Sequence, residues 1–274
     1  MALLRILARA ALCLMLVFAV RGAASAEESA LRRLDTGDES RGWNAVGRLN
    51  MGKHSFCTGA LIAPNLVLTA AHCLFDSKSG ARLKPEDMEF LAGWRNGRAA
   101  AYRGVRRAVA HPEYVYGGSD RLTRVSYDLA LLELDQPIRL TSIHPFETDL
   151  LPHKGDEVGV VSYAKDRSEA PSLQEVCHVL DQEPKILVLS CKVDFGSSGA
   201  PIFSMKDGIA RVVSVVSSKA DYEGASVALG TTLQEPLATL RAALDAASSP
   251  FQKANPALRT IEDGAGSSAK FVKP

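Results

Sequence analysis

The chain has 274 residues, with 32 Lys and Arg against 31 Asp and Glu, a formal charge of +1. A balance this close to neutrality supplies no polybasic surface, so a nucleic acid or another polyanion is not among the implied partners. The length is enough to bury a substantial core, as one large domain or as two small lobes sharing an interface.

The first residues, MALLRILARAALCLMLVFAV, place Arg5 and Arg9 ahead of an apolar run too short for a membrane span. That is a signal-peptide pattern, and Ala24-Ser25-Ala26 supplies the small side chains for cleavage after Ala26. Removing residues 1–26 takes away Arg5, Arg9, Arg21 and Cys13, which leaves 29 basic residues against 31 acidic ones. The expected product is exported, extracellular or periplasmic, with no membrane span in the mature chain. Four cysteines remain, Cys57, Cys73, Cys177 and Cys191. In an oxidising compartment an even count means two disulfides, and spacing alone leaves all three pairings open.

Residues 27–40 are polar, contain Arg32-Arg33 and lack an apolar period, so a flexible leader is expected. From Trp43 to about Leu140, short apolar runs (AVGRL, ALIA, LVLTAA, EFLAGW, LALLEL) alternate with DSKSG, WRNGR and YGGSD. A second series (DEVGVVSY, EVCHVL, KILVLSC, APIFSM, ARVVSVVSS, SVALGTT) follows with similar spacing. This punctuation predicts an all-β protein with one barrel over about 41–140 and a second over about 141–232. After Gln234, Leu237, Leu240 and Leu244 continue from Leu233 at helical spacing, which predicts an amphipathic helix over 233–247. Ser248-Ser249-Pro250 ends it, and the Pro-, Gly-, Ser- and Lys-rich stretch 248–274 reads as a disordered tail.

Three segments carry chemistry. CTGALIAPNLVLTAAHC ends an apolar run on His72 and Cys73; YDLALLEL leads from Asp128 into leucines and alanines; DFGSSGAPIF contains Gly196-Ser197-Ser198-Gly199-Ala200-Pro201. An aspartate entering so apolar a strand is costly to bury unless it is paired, and an imidazole N–H is a suitable partner. Glycines around a serine let successive backbone N–H groups converge on one point. In this order the segments resemble the histidine, aspartate and serine motifs of the trypsin/chymotrypsin-like serine peptidases. The agreement covers most of the chain after residue 40, and the compact second lobe is closest in style to bacterial secreted members, including glutamyl-endopeptidase-like ones.

The resemblance implies two antiparallel six-stranded β-barrels with a cleft between them. It implies a triad of His72 as general base, Asp128 as its orienting partner and Ser198 as nucleophile. Ser198, and not Ser197, is followed by Gly-x-Pro as the family motif requires. It further implies an oxyanion hole from the N–H groups of Gly196 and Ser198, and disulfides Cys57–Cys73 and Cys177–Cys191. The function implied is peptide-bond hydrolysis through an acyl-enzyme, by a monomer acting on proteins or peptides. No cofactor is required, and His54, His144, His153 and His178 show no ligand spacing, so no metal is assigned. A silent binding protein on the same fold, or an esterase with the same triad, are the alternatives.

Departures from the family pattern carry information too. Lys192, Val193 and Asp194 are expected as the floor of the specificity pocket and Ser217, Ser218 and Lys219 as its wall, but no further cysteine braces that wall. Val216 stands where a glutamate-selecting histidine is expected. Ser197 replaces the aspartate that, in animal members, pairs with an α-ammonium freed by cleavage. An oxyanion loop ordered by local hydrogen bonds, with no need of an inserted N-terminus, is therefore expected.

Overall fold

A computed structural model describes residues 28–52, 55–149 and 151–248; the expected signal peptide and nearly all of the expected tail lie outside the described residues. Strands β2 (Val46–Met51), β3 (Ser55–Ala63), β4 (Leu66–Thr69), β5 (Met88–Ala92), β6 (Ala101–Ala110) and β7 (Ala130–Leu134) close a barrel in the order β2-β3-β4-β7-β6-β5, with β5 returning to β2. β8 (Glu157–Ser162), β9 (Ser172–Glu183), β10 (Ile186–Leu189), β11 (Pro201–Ser204), β12 (Arg211–Tyr222) and β13 (Ala225–Thr232) form the second, β9-β10-β13-β12-β11-β8, and the β8–β9 pairing closes it. Every strand pairing is antiparallel. This is the pair of six-stranded barrels that the motif order implied.

The leucine-rich runs are strands buried on both faces. Every residue of β4 and β7 is buried, Glu133 included. That carboxylate is tolerated in β7 because Arg106 and Arg107 both pair with it. Arg107 also donates to the Leu244 carbonyl at 3.2 Å and so ties the C-terminal helix to barrel one. The helix, α2 (Gln234–Ser248), follows a short one, α1 (Arg121–Ser126), that the turn-rich sequence did not announce. In α2 the buried residues include Leu237, Leu240 and Leu244, as its periodicity predicted. α1 starts on Asp120, whose carboxylate accepts from Leu122 N at 3.0 Å, an N-cap read at the sequence level only as part of a turn.

The segment expected to be a flexible leader is instead docked. Arg32 and Arg33 form a two-residue strand, β1, antiparallel to β9 at Leu173 and Ser172. Ser29 N donates to the Val176 carbonyl at 3.0 Å and Leu34 N to that of Pro171 at 2.9 Å. Leu34 is 0% exposed within the main core. One apolar side chain and a few edge hydrogen bonds hold this strand, too little to leave a period in the sequence.

Between the barrels, the Trp43 ring meets Phe203 at 5.1 Å and Phe146 meets Phe203 at 4.7 Å. Tyr163, fully buried at the end of β8, donates its hydroxyl to the Trp94 carbonyl of barrel one at 2.8 Å. The cysteines pair as Cys57–Cys73 and Cys177–Cys191. Both bridges close short loops, of the kind worth about 3 kcal/mol each when the unfolded chain is constrained.

Candidate active site

His72 sits on a single 3-10 turn, Ala71–Leu74, directly after the fully buried β4, and Cys73 in the same turn is bridged back to β3. The backbone beside the imidazole is thus fixed by a strand on one side and a covalent link on the other. Asp128 lies between α1 and β7 and is 3% exposed. Its Oδ1 accepts from His72 N at 2.8 Å, and its Oδ2 lies 2.7 Å from His72 Nδ1. A carboxylate only accepts, so Nδ1 carries the hydrogen and Nε2 is left with a free lone pair.

Burial alone would lower the His72 pKa. The adjacent Asp128 charge and the hydrogen bond outweigh it, and the net direction is upward from the ordinary 6.5. A third donor completes the aspartate: Ser217 Oγ reaches Asp128 Oδ2 at 2.5 Å. Sequence reasoning had placed Ser217 only in a pocket wall. Its hydroxyl's engagement with Asp128 could not be read from β12, because the two residues are 89 apart in the chain.

The Ser198 loop is gripped from barrel one. Thr58 N donates to the Ser198 carbonyl at 2.8 Å and Thr58 Oγ1 to the Gly196 carbonyl at 2.9 Å. Gly199 N donates to Val216 O at 2.8 Å, which fastens the far side of the loop to β12. Gly199 has φ +76, and a side-chain carbon there would collide with Thr69 Oγ1 and the Thr58 carbonyl. Gly196 has φ +96 and abuts the Phe56 ring.

With those carbonyls engaged, the Gly196 and Ser198 N–H groups make no hydrogen bond among the described residues, and neither does the Ser198 hydroxyl. His72, Gly196 and Ser198 line one cavity of about 620 Å³ together with Phe56, Phe195 and the Cys57–Cys73 bridge. The imidazole, held from behind by the buried Asp128, thus shares one cavity with the Ser198 hydroxyl and the Gly196–Ser198 backbone.

A second cavity, of about 340 Å³, adjoins Ser198 and is lined by Val193, Asp194, Phe195, Val216, Ser217, Ser218 and Lys219. Five of the six expected pocket residues are thus brought together. Lys192 is not among them: its N–H is held by Gln174 Oε1 at 2.8 Å, and it lines a neighbouring cavity with Ser190 and Cys191. Lys192 lies in the irregular segment between β10 and β11, whose path spacing did not carry. Cys57, His72 and Cys73 place sulfur and nitrogen atoms close together, but the sulfurs are joined to each other and are not thiolate ligands.

Comparison with known proteins gives this arrangement its relatives. The family described as Trypsin matches residues 35–232. A trypsin from Phaedon cochleariae is 34% identical over 107 residues, covering 38% of this chain and 36% of that protein. A glutamyl endopeptidase from Bacillus licheniformis is 27% identical over 150 residues, 54% of this chain and 45% of that one. The matched stretches thus span less than half of these curated relatives. A solved structure of Glu endopeptidase in complex with MPD superposes with a TM-score of 0.65 at 18% identity, over 80% of this chain and 97% of that chain, which shows the shared fold. By its family match over most of its length, and by the two-barrel fold it shares with a solved relative, the chain belongs to the trypsin family of serine peptidases.

Proposed function

We propose that the protein is an exported serine endopeptidase that cleaves proteins or peptides through a His72–Asp128–Ser198 triad. The observation that carries the proposal is the convergence, on one cleft, of an Asp128-paired imidazole, the Ser198 hydroxyl and the unengaged N–H groups of Gly196 and Ser198.

In the reaction, Ser198 Oγ attacks the scissile carbonyl carbon while His72 Nε2 takes the hydroxyl proton. The imidazolium keeps its Nδ1 hydrogen on Asp128, whose charge stabilises it. The carbonyl oxygen becomes an oxyanion, bound by the N–H groups of Gly196 and Ser198. Collapse of the tetrahedral intermediate breaks the C–N bond, and His72 returns its proton to the leaving amine. Water then attacks the acyl-enzyme by the same steps in reverse, freeing the acid and Ser198. The side chain before the scissile bond enters the cavity between Val193 and Val216.

Export rests on the N-terminal pattern of residues 1–26 and on the two disulfides. None of the described helices is long and apolar enough to cross a membrane. The test pairs labelling by a fluorophosphonate probe with a peptide-library digest, each on the native chain and on Ser198→Ala. Labelling and cleavage that both vanish in Ser198→Ala are expected. No labelling of the native chain means a silent binding protein, and labelling with ester but no peptide hydrolysis means an esterase.

A further inference from the structure

A partly buried charge that the reaction does not consume lies against the Ser198 loop. Arg167 ends the short 3-10 turn Lys165–Arg167, which is itself fastened to the loop by Lys165 N donating to the Phe195 carbonyl at 2.8 Å. Its guanidinium forks: Nη1 donates to the Ser162 carbonyl at 2.7 Å and to Ser162 Oγ at 3.0 Å, and Nη2 donates to Ser197 Oγ at 3.2 Å. Ser197, 0% exposed, also accepts from Asp194 N at 3.3 Å, and its hydroxyl hydrogen faces Ser162 Oγ at 3.2 Å and the Tyr163 carbonyl at 3.4 Å.

Among the described residues no carboxylate lies within 4.0 Å of this guanidinium. Partly burying a cation without a close counter-charge carries a cost, and this desolvation pulls the Arg167 pKa down, with the Asp194 charge offsetting part of it. A cost of that sort, borne one residue from Ser198, points to a role beyond filling space. Residues 29–34 run along β9, bonded at Val176, Leu173, Ser172 and Pro171. The positive charge next to Ser197 is a side chain of barrel two, Arg167.

We propose that Arg167 is a positioning residue for the oxyanion site: by bridging Ser162 to Ser197, it holds the Gly196–Ser198 backbone with its two N–H groups free for the carbonyl oxygen. The planar fork suits the bridge, since its two nitrogens donate in fixed, separate directions, whereas an ammonium is a single point charge on a flexible stem. The inference rests on the peptidase reading above. It predicts a defect confined to steps that develop negative charge on oxygen, because ground-state contacts in the 340 Å³ cavity do not involve Arg167.

The test compares Arg167→Met, Arg167→Lys and Ser197→Ala with the native chain, using a fluorogenic peptide chosen by the library digest and a peptide aldehyde built on the same sequence. Arg167→Met should lower kcat by about tenfold to a hundredfold with KM within about twofold, and weaken the aldehyde in step. Arg167→Lys should recover only part of the loss. Ser197→Ala, which removes one acceptor and is nearly isosteric, should lower kcat a few-fold and decides the matter if neither Arg167 variant folds. A folded Arg167→Met with native kcat, a loss confined to KM, or a fully active Ser197→Ala overturns the inference. If Ser198→Ala is as active as the native chain, it is the peptidase reading that fails, independently of Arg167.

Discussion

Replacing Asp128 by asparagine isolates the electrostatic part of the site while keeping its shape. In the native structure the carboxylate takes three donors, from His72 N, His72 Nδ1 and Ser217 Oγ. An asparagine has one acceptor oxygen. If that oxygen keeps the His72 N bond, the amide NH2 faces Nδ1 and selects the tautomer with hydrogen on Nε2. That tautomer has no lone pair for the Ser198 proton, so kcat should fall by about four powers of ten near neutral pH, roughly 5.5 kcal/mol in the barrier, with KM little changed.

The pH profile supplies the sharper check. Asp128 raises the His72 pKa above 6.5, and His72 must be neutral to act, so native kcat/KM should climb with pH through a midpoint above 6.5. Removing the charge leaves burial as the main influence, and the midpoint of the residual activity should move to lower pH. Stability has the opposite sign: a raised folded-state pKa contributes stability below the unfolded value, and that part is lost as pH rises through the folded one. The assay is kcat and KM against pH from 5 to 9, with folding followed by circular dichroism. An Asp128→Asn variant that keeps a tenth of the native kcat, or whose limb moves upward, would refute the reasoning.

Ser198→Ala should abolish fluorophosphonate labelling while Ser197→Ala retains much of it; the reverse pattern would move the nucleophile to Ser197. Gly199→Ala should cost several kcal/mol, since the new methyl meets Thr69 Oγ1 and the Thr58 carbonyl at a φ of +76; a variant melting with the native protein would contradict this. Replacing Cys57 and Cys73 by serine should lower stability by about 3 kcal/mol and activity along with it, read by urea titration and peptide hydrolysis, and unchanged activity would show that the bridge does not hold His72. Chains starting at Glu27, at Leu34 and at Leu34 behind a short tag should be equally active; activity only with a free amino group at Leu34 would restore a need for an inserted N-terminus.

Much of this protein was legible along the chain because its motifs are local. Apolar runs punctuated by turns announced the strands, and the leucines from 233 to 244 announced the C-terminal helix, since both depend on side-chain period. His72, Asp128 and Ser198 stood out because each sits in a short segment that resembles one motif of the family. What spacing could not decide involved partners far apart in sequence. Ser217 looked like a wall residue, and only the approach of β12 to barrel one set its hydroxyl on Asp128. Lys192 looked like a pocket floor, but the fold sets it on a neighbouring cavity beside Ser190 and Cys191. Residues 27–40 looked flexible because strand addition at an edge uses backbone groups, which are the same in every sequence. Arg167 carried no signal at all: an arginine in a polar turn is ordinary, and its bonds to Ser162 and Ser197 exist only once barrel two has closed.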